Sequence, residues 1–317
     1  MSRQLTMVQQ AHAYLEHRRA LGFRLEHSGG QLLHFARFAD RSGRRGPLTA
    51  NFILRWAHDS KLARSSQGIR LSIARCFARY LAARDGRTEV PDRRLIPKAL
   101  RHRPHIFSEW QLEQLLVASS RMKPSYELRP LTYLTLFGLL ASTGLRVSEA
   151  VNLTRGQVDL KRSFLRIERT KFKKSRFVPL HPTVTRALRR YAAARDRRWG
   201  QHAGDPFFVG RSNRGHRCDT VQGVFRGLCA GLGWHRGNGE WPRPRLHDLR
   251  HSFACRRLLR WYRDGENVHQ RMASLSTYLG HAAVTHTYWY LTGTPELMAI
   301  VGSRFERFAS PAGRRRT

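Results

Sequence analysis

The stretch from Leu131 to Leu145 limits the possible folds more than any other. It is the most apolar run in the chain, yet it contains Thr, Ser and Gly. It also falls short of the roughly 20 residues that a membrane span requires. A helix apolar on all sides and too short to cross a bilayer must lie inside a domain. The run leads into ASTGLRVSEAVNL, where Gly144 permits a tight turn and Arg146 and Glu149 stand three apart at the head of the next helix. An arginine so close to a buried helix serves a structural ion pair or a reacting anion. The local sequence does not decide between them.

A chain of 317 residues with 41% hydrophobic content can build two cores, so two domains are expected. Residues 1–90 have helical spacing throughout. Val8, Ala11, Tyr14, Leu15 and Leu21 mark a first helix ended by Gly22, and Leu32, Leu33, Phe35, Ala36 and Phe38 mark a second. Thr49 is the N-cap of a third, and a fourth runs from Ser65 to Ala83 with Ile69, Ile73, Cys76, Phe77, Tyr80 and Leu81 facing inward. Residues 91–105, rich in proline and arginine, form an extended basic linker. A second domain, 106–317, opens with the capping-box pattern of Ser108 and Gln111. Within it Val158–Glu168 and Arg176–Leu180 read as strands, 183–199 as a basic helix, DPFFVGRSNRGHRCD as a loop and 219–231 as a helix. Residues 295–308 carry an apolar helical stripe, followed by a basic tail.

The charge narrows the class of partner. Lys and Arg number 58 against 22 Asp and Glu, a net +36. A surface so cationic repels itself unless an extended anion covers it, and a nucleic-acid backbone is the usual one. Arg70, Arg75 and Arg79 recur along the fourth helix without enough acidic neighbours to balance them, so they are candidate DNA contacts. The turn TKFKKS presents Lys171, Lys173 and Lys174 at a hairpin tip, from which an ammonium can probe a groove. No apolar stretch marks the amino terminus as a secretion signal, and the expected compartment is the cytoplasm, at the nucleoid. Four scattered cysteines without CxxC spacing argue against a zinc ribbon and a disulfide scaffold. Phosphate-binding glycine loops of nucleotide enzymes are absent, so no cofactor is expected.

The densest chemistry lies between His247 and Tyr290, from HDLRHSF to LGHAAVTHTYWY. It holds His247, Arg250, His281 and Tyr290, a set suited to a phosphodiester. Arginine matches phosphate oxygens, histidine moves protons and a phenol can attack. HDLRH starts a helix on which His247, Arg250 and His251 share a face, with Phe253, Leu258 and Leu259 on its apolar side. A basic helix with solvated histidines could carry the same letters. Metal binding by His247 and His251 is the local rival, but no third ligand is near and Arg250 between them would repel a cation.

Taken together, the order Arg146 with Glu149, Lys171 before RFVPL, HDLRH, LGH and then a tyrosine nine residues on resembles the tyrosine recombinases, the phage integrase family. The wording LSTYLGH and TYWYLT also looks like recombinases carried in mobile-element arrays. The resemblance implies a mainly α fold with a small antiparallel β-sheet. It implies a two-domain DNA clamp, with an all-helical (SAM-like) DNA-binding domain and an α+β catalytic domain. It further implies catalytic roles for Arg146, Lys171, His247, Arg250, His281 and the nucleophile Tyr290, with Glu149 in support. Neither metal nor cofactor is implied. The partners would be double-stranded DNA with paired sites and further copies of the chain, two per site and four in the synapse, docked through 295–308. WYRDGENVHQRMASLSTY adds residues relative to the family's spacing, and Leu291 stands where the family often has histidine. A type IB topoisomerase-like nicking-closing enzyme and a catalytically silent DNA-binding accessory protein remain alternatives.

Overall fold

The computed structural model describes residues 5–59, 61–96, 104–168, 175–200, 205–234, 243–281 and 283–288. The chain divides into two compact units, Met1–Arg101 and His102–Thr317. It is mainly helical with one small antiparallel sheet. Among the described residues no helix is long and apolar enough to cross a membrane.

Among its described residues the first unit contains four α-helices, α1 (Met7–Ala20), α2 (Glu26–Arg41), α3 (Ala50–Ala57) and α4 (Arg64–Ala82). Thr6 and Gln9 close a reciprocal capping box at the start of α1, and the Asp40 carboxylate accepts from the backbone N–H groups of Met7 and Val8. An anion at these unpaired donors complements the helix dipole and fastens α2 to α1. Thr49 caps α3 as its sequence indicates. Phe35, Phe52, Trp56 and Phe77 fill the core with mutually tilted rings.

The inward face of α4 differs from the sequence expectation. Ile69 is 52% exposed and Cys76 is also exposed, whereas Leu71, Ala74, Phe77, Ala78 and Leu81 are buried. The packing against α2 and α3 selects the stripe in which small alanines let the helices approach, at the expense of the larger Ile69. Leu21, placed on the apolar side of α1 by spacing, is likewise 60% exposed.

The second unit is organised on α6 (Arg129–Thr143), the apolar run, which is lined by α5 (Glu109–Ser120) and by α8 (Pro182–Trp199). Ser108 and Gln111 form the expected capping box on α5. After α6 come α7 (Val147–Val151) and a sheet of β1 (Val158–Asp159), β2 (Phe164–Ile167) and β3 (Arg176–Pro179). The long strand expected over 158–168 is therefore two strands. Ser163, at φ 58°, helps turn the chain between them, so that Val158 pairs with Leu165 and Leu165 with Val178. Further described helices of the unit are α9 (Cys218–Gly231), α10 (Asp248–Arg263), α11 (Val268–Leu279) and α12 (Thr285–Tyr288). Phe207, Phe208 and Val209, in the expected loop, are fully buried beside Tyr191, whose hydroxyl accepts from the Val209 N–H.

Gly144 ends α6 in the left-handed region at φ 63°, where L side chains are strained. A Cβ there would stand 2.5 Å from the Phe253 ring and 3.2 Å from Leu279. The turn that aims Arg146 is thus also the point where α10 and α11 close on α6. Gly144→Ala is expected to destabilise the protein by roughly 2–4 kcal/mol, combining left-handed strain with overpacking. Urea denaturation would check this, and an unchanged midpoint would count against the tight packing.

Candidate active site

Three arginines from three separate elements meet at the end of one helix. The last carbonyls of α11 have no partner within the helix and carry the negative end of its dipole. Arg176, the first residue of β3, donates Nε to the Tyr278 carbonyl at 2.7 Å. Arg250, in the first turn of α10, donates Nη2 to the Leu279 carbonyl at 2.7 Å and Nη1 to the Gly144 carbonyl at 2.8 Å. Arg146, at the head of α7, donates Nη2 to the Gly280 carbonyl at 2.6 Å. Three successive carbonyls each hold a guanidinium, and the next residue is His281.

Glu149 ties two of these arginines together. Its Oε1 accepts from Nη1 of Arg146 at 2.8 Å and from Nη1 of Arg176 at 3.0 Å. Its Oε2 accepts from the Arg146 backbone N–H at 2.9 Å and from Nη2 of Arg176 at 2.8 Å. Burial pushes the Glu149 carboxyl up, but the two guanidiniums, Arg176 foremost, outweigh it and hold the group below the usual carboxylate range. Gly280, at φ 67°, makes room for this arrangement. A Cβ there would stand 2.8 Å from Nη1 of Arg176 and 3.4 Å from Nη1 of Arg146.

The histidines complete the cluster. His281 shares a 2.7 Å hydrogen bond between Nδ1 and the hydroxyl of the buried Thr287, which fixes the ring and leaves Nε2 as the distal nitrogen. His247 precedes α10 and its ring stands edge-on to His251 at 4.9 Å between centroids. Burial, then the Arg250 charge, depress His247 to about 4, and burial with His247 and Arg245 depresses His251 to about 3. The charge of Arg146 also acts on His247. Burial and the neighbouring charges thus favour the neutral form of His247, while Arg146 and Arg250 supply permanent positive charge.

Arg146, Glu149, His247, Arg250 and His281 are thus brought into one neighbourhood. Lys171, Lys173, Lys174 and Tyr290 lie outside the described residues. The first unit places its three candidates differently. Arg70 stacks over Trp56, donates to the Trp56 carbonyl and lies 3.7 Å from Asp59, so the acidic neighbour absent from its helix comes from the preceding turn. Arg75 donates Nε to the Pro91 carbonyl at 2.7 Å. Arg79 lines a cavity with Tyr14, His17, Arg18, Cys76 and Tyr80. Arg176 is not among the site residues expected from the sequence. The signal was its parity: it alternates with the exposed Phe177 and shares the inward face with the buried Val178, where a charge needs a partner.

Among the described residues the second unit is thus helical with one small sheet, and its arginine-histidine cluster is set on a helix end. Residues 106–296 match the model of the phage integrase family. Protein y4rB of Sinorhizobium fredii, named as an integrase/recombinase, is 40% identical over 95% of this chain and 98% of its own length. Tyrosine recombinase XerD of Brucella abortus is 32% identical over 72% of each chain. Among solved structures, the Tn1549 transposon integrase in complex with transposon right end DNA shares the fold at a TM-score of 0.68 and 16% identity, covering 96% of this chain and 100% of that one. A lambda integrase tetramer bound to a Holliday junction shares it at 0.64 and 15%, covering 89% and 79%. The chain belongs to the phage integrase family, the tyrosine recombinases, which cleave and rejoin DNA.

Proposed function

We propose that the protein is a site-specific recombinase of a mobile element that cuts DNA through a 3′-phosphotyrosyl intermediate at Tyr290. The observation that carries this reading is the convergence of Arg146 and Arg250 on the turn that leads into His281. The Tyr290 oxygen attacks phosphorus, its proton passes to His247, and the 5′-oxygen leaves with a proton from Lys171. Arg146 and Arg250 neutralise the non-bridging oxygens, His281 donates to one of them, and Glu149 orients Arg146. A partner strand's 5′-hydroxyl then reverses the step, so the bond energy is conserved and no nucleotide is consumed.

Residues 1–90 act as the helical DNA-binding domain, 91–105 as a linker and 106–317 as the catalytic domain, which together clamp duplex DNA. Two copies per site and four in the synapse, joined through 295–308, form the working assembly. The net charge of +36 supports strong phosphate-backbone binding. Lys173 and Lys174 reach the backbone from the hairpin tip. In the first unit Arg79 is the better-placed contact, since Arg70 and Arg75 are engaged within the fold. Arg79→Ala is expected to weaken binding evenly across DNA sequences and to lower the salt slope by about 1. Titrations at several salt concentrations would measure it, and an unchanged slope would remove Arg79 from the interface.

The reaction is tested by covalent trapping on nicked duplexes drawn from DNA flanking the gene. A denaturant-resistant adduct mapped to Tyr290 supports the reading, and an adduct at Tyr288 moves the nucleophile. Salt-sensitive binding without any adduct, across a wide library of sites, supports the silent binder. Relaxation of supercoils at one unpaired site, without strand exchange between two, supports the topoisomerase-like alternative.

A further inference from the structure

We propose that Arg176 is a positioning residue for strand cleavage, which leaves the positive charge of Arg146 available to a phosphate by pairing with the Glu149 carboxylate they share. The inference rests on the recombinase reading above. A carboxylate alone with Arg146 would cancel its charge, and the guanidinium offered to a phosphate would be half of a neutral pair. Arg176 changes that balance. Arg146, Arg176 and Glu149 together carry one net positive charge, and Arg176 takes both carboxylate oxygens in a fork, at 3.0 and 2.8 Å. Arg146 can then turn toward an anion without leaving a buried carboxylate unpaired. Such isolation would be costly, because the Glu149 side chain is only 6% exposed.

Arg176 is also held in register with the rest of the site. Its Nε bond to Tyr278 ties β3 to the same helix end that receives Arg250 and Arg146. Its own side chain is 11% exposed, so it is placed to act through Glu149 rather than on the DNA surface. The absence of a side chain at Gly280 lets both guanidiniums lie against the turn before His281.

Among the described residues, the charged groups that act on Glu149 are Arg176 from β3 and Arg146 from α7. Without Arg176 the carboxyl loses its strongest charged partner, and burial raises its affinity for a proton. Cleavage that needs the carboxylate then fails at a higher pH than in the wild type.

The test measures single-turnover adduct formation on a nicked duplex at saturating protein, across pH, together with the DNA Kd. Arg176→Met is expected to slow adduct formation by about 10- to 100-fold at neutral pH with Kd changed by less than about threefold. Its acid limb should move to higher pH. Arg176→Lys should recover part of the rate, because it restores charge without the fork. If Arg176→Met does not fold, Arg176→Lys alone decides, through a reduced rate and a smaller displacement of the same limb. Wild-type rates in these variants, or a uniform loss with an unmoved acid limb, would overturn the inference while leaving the recombinase intact. A wild type that forms no adduct at all would overturn both.

Discussion

Phenylalanine in place of Tyr290 is expected to leave folding and DNA affinity unchanged and to lower adduct formation by more than about 10⁴-fold. The substitution removes one oxygen, and no other group in the proposed mechanism can take over the covalent bond to phosphorus. The imidazoles and guanidiniums of the site lower the barrier for a nucleophile but do not replace it. Tyr288, two residues earlier, is the obvious competitor. It ends α12 with 39% exposure, and its ring lies 6.4 Å from that of His269. Thr287 of that turn is buried and bonded to His281, and Tyr290 follows it by three positions. Tyr288→Phe is therefore expected to cleave at close to the wild-type rate. Side-by-side trapping of both variants reads the result on one gel. An adduct retained in Tyr290→Phe and lost in Tyr288→Phe would transfer the nucleophile to Tyr288.

The parts of this molecule that could be read from sequence are those fixed by local chemistry. Ser108 with Gln111, Thr49 and Gly144 act within a few residues of themselves, and each stands where its pattern placed it. Arg146 with Glu149, and His247 with Arg250, were legible because each pair sits within one helical turn. The common anchor was not legible. Arg146 reaches Gly280 across 134 positions and Arg250 reaches Gly144 across 106, and no periodicity carries such pairings. Arg176 was missed for the same reason, since its carboxylate lies on another element. On α4 the error had a different cause. Hydrophobicity favoured Ile69 and Cys76, while packing favoured Ala74 and Ala78, which are small enough for helices to meet. The buried Phe207 and Phe208 were hidden by the glycines, arginines and asparagine around them, which looked like loop chemistry.

Arg250 should be the most damaging of the described positions to replace, because it has two jobs. It is 2% exposed and bonds the Gly144 carbonyl with one nitrogen and the Leu279 carbonyl with another, joining the end of α6 to the end of α11. Alanine removes both donors. With a cost of about 1–3 kcal/mol for each of the two buried acceptors left unpaired, the fold should lose roughly 2–6 kcal/mol. Alanine also removes a permanent charge proposed to face the phosphate, so cleavage should fall by more than about 10³-fold. The two effects are separable with lysine. Arg250→Lys keeps the charge and can satisfy one carbonyl at a time, so stability should fall by only about 1–2 kcal/mol. An ammonium cannot hold two carbonyls and a phosphate as a planar fork does, and cleavage should still fall by about 10²- to 10³-fold. Urea denaturation and single-turnover trapping on the same samples give both numbers. A lysine variant that is destabilised yet cleaves at the wild-type rate would show that Arg250 only joins helices, leaving phosphate neutralisation to Arg146. A variant as stable as the wild type and nearly inactive would show the reverse. A loss in both, with the larger share in catalysis, is what a guanidinium set between two helix ends and a DNA phosphate should give.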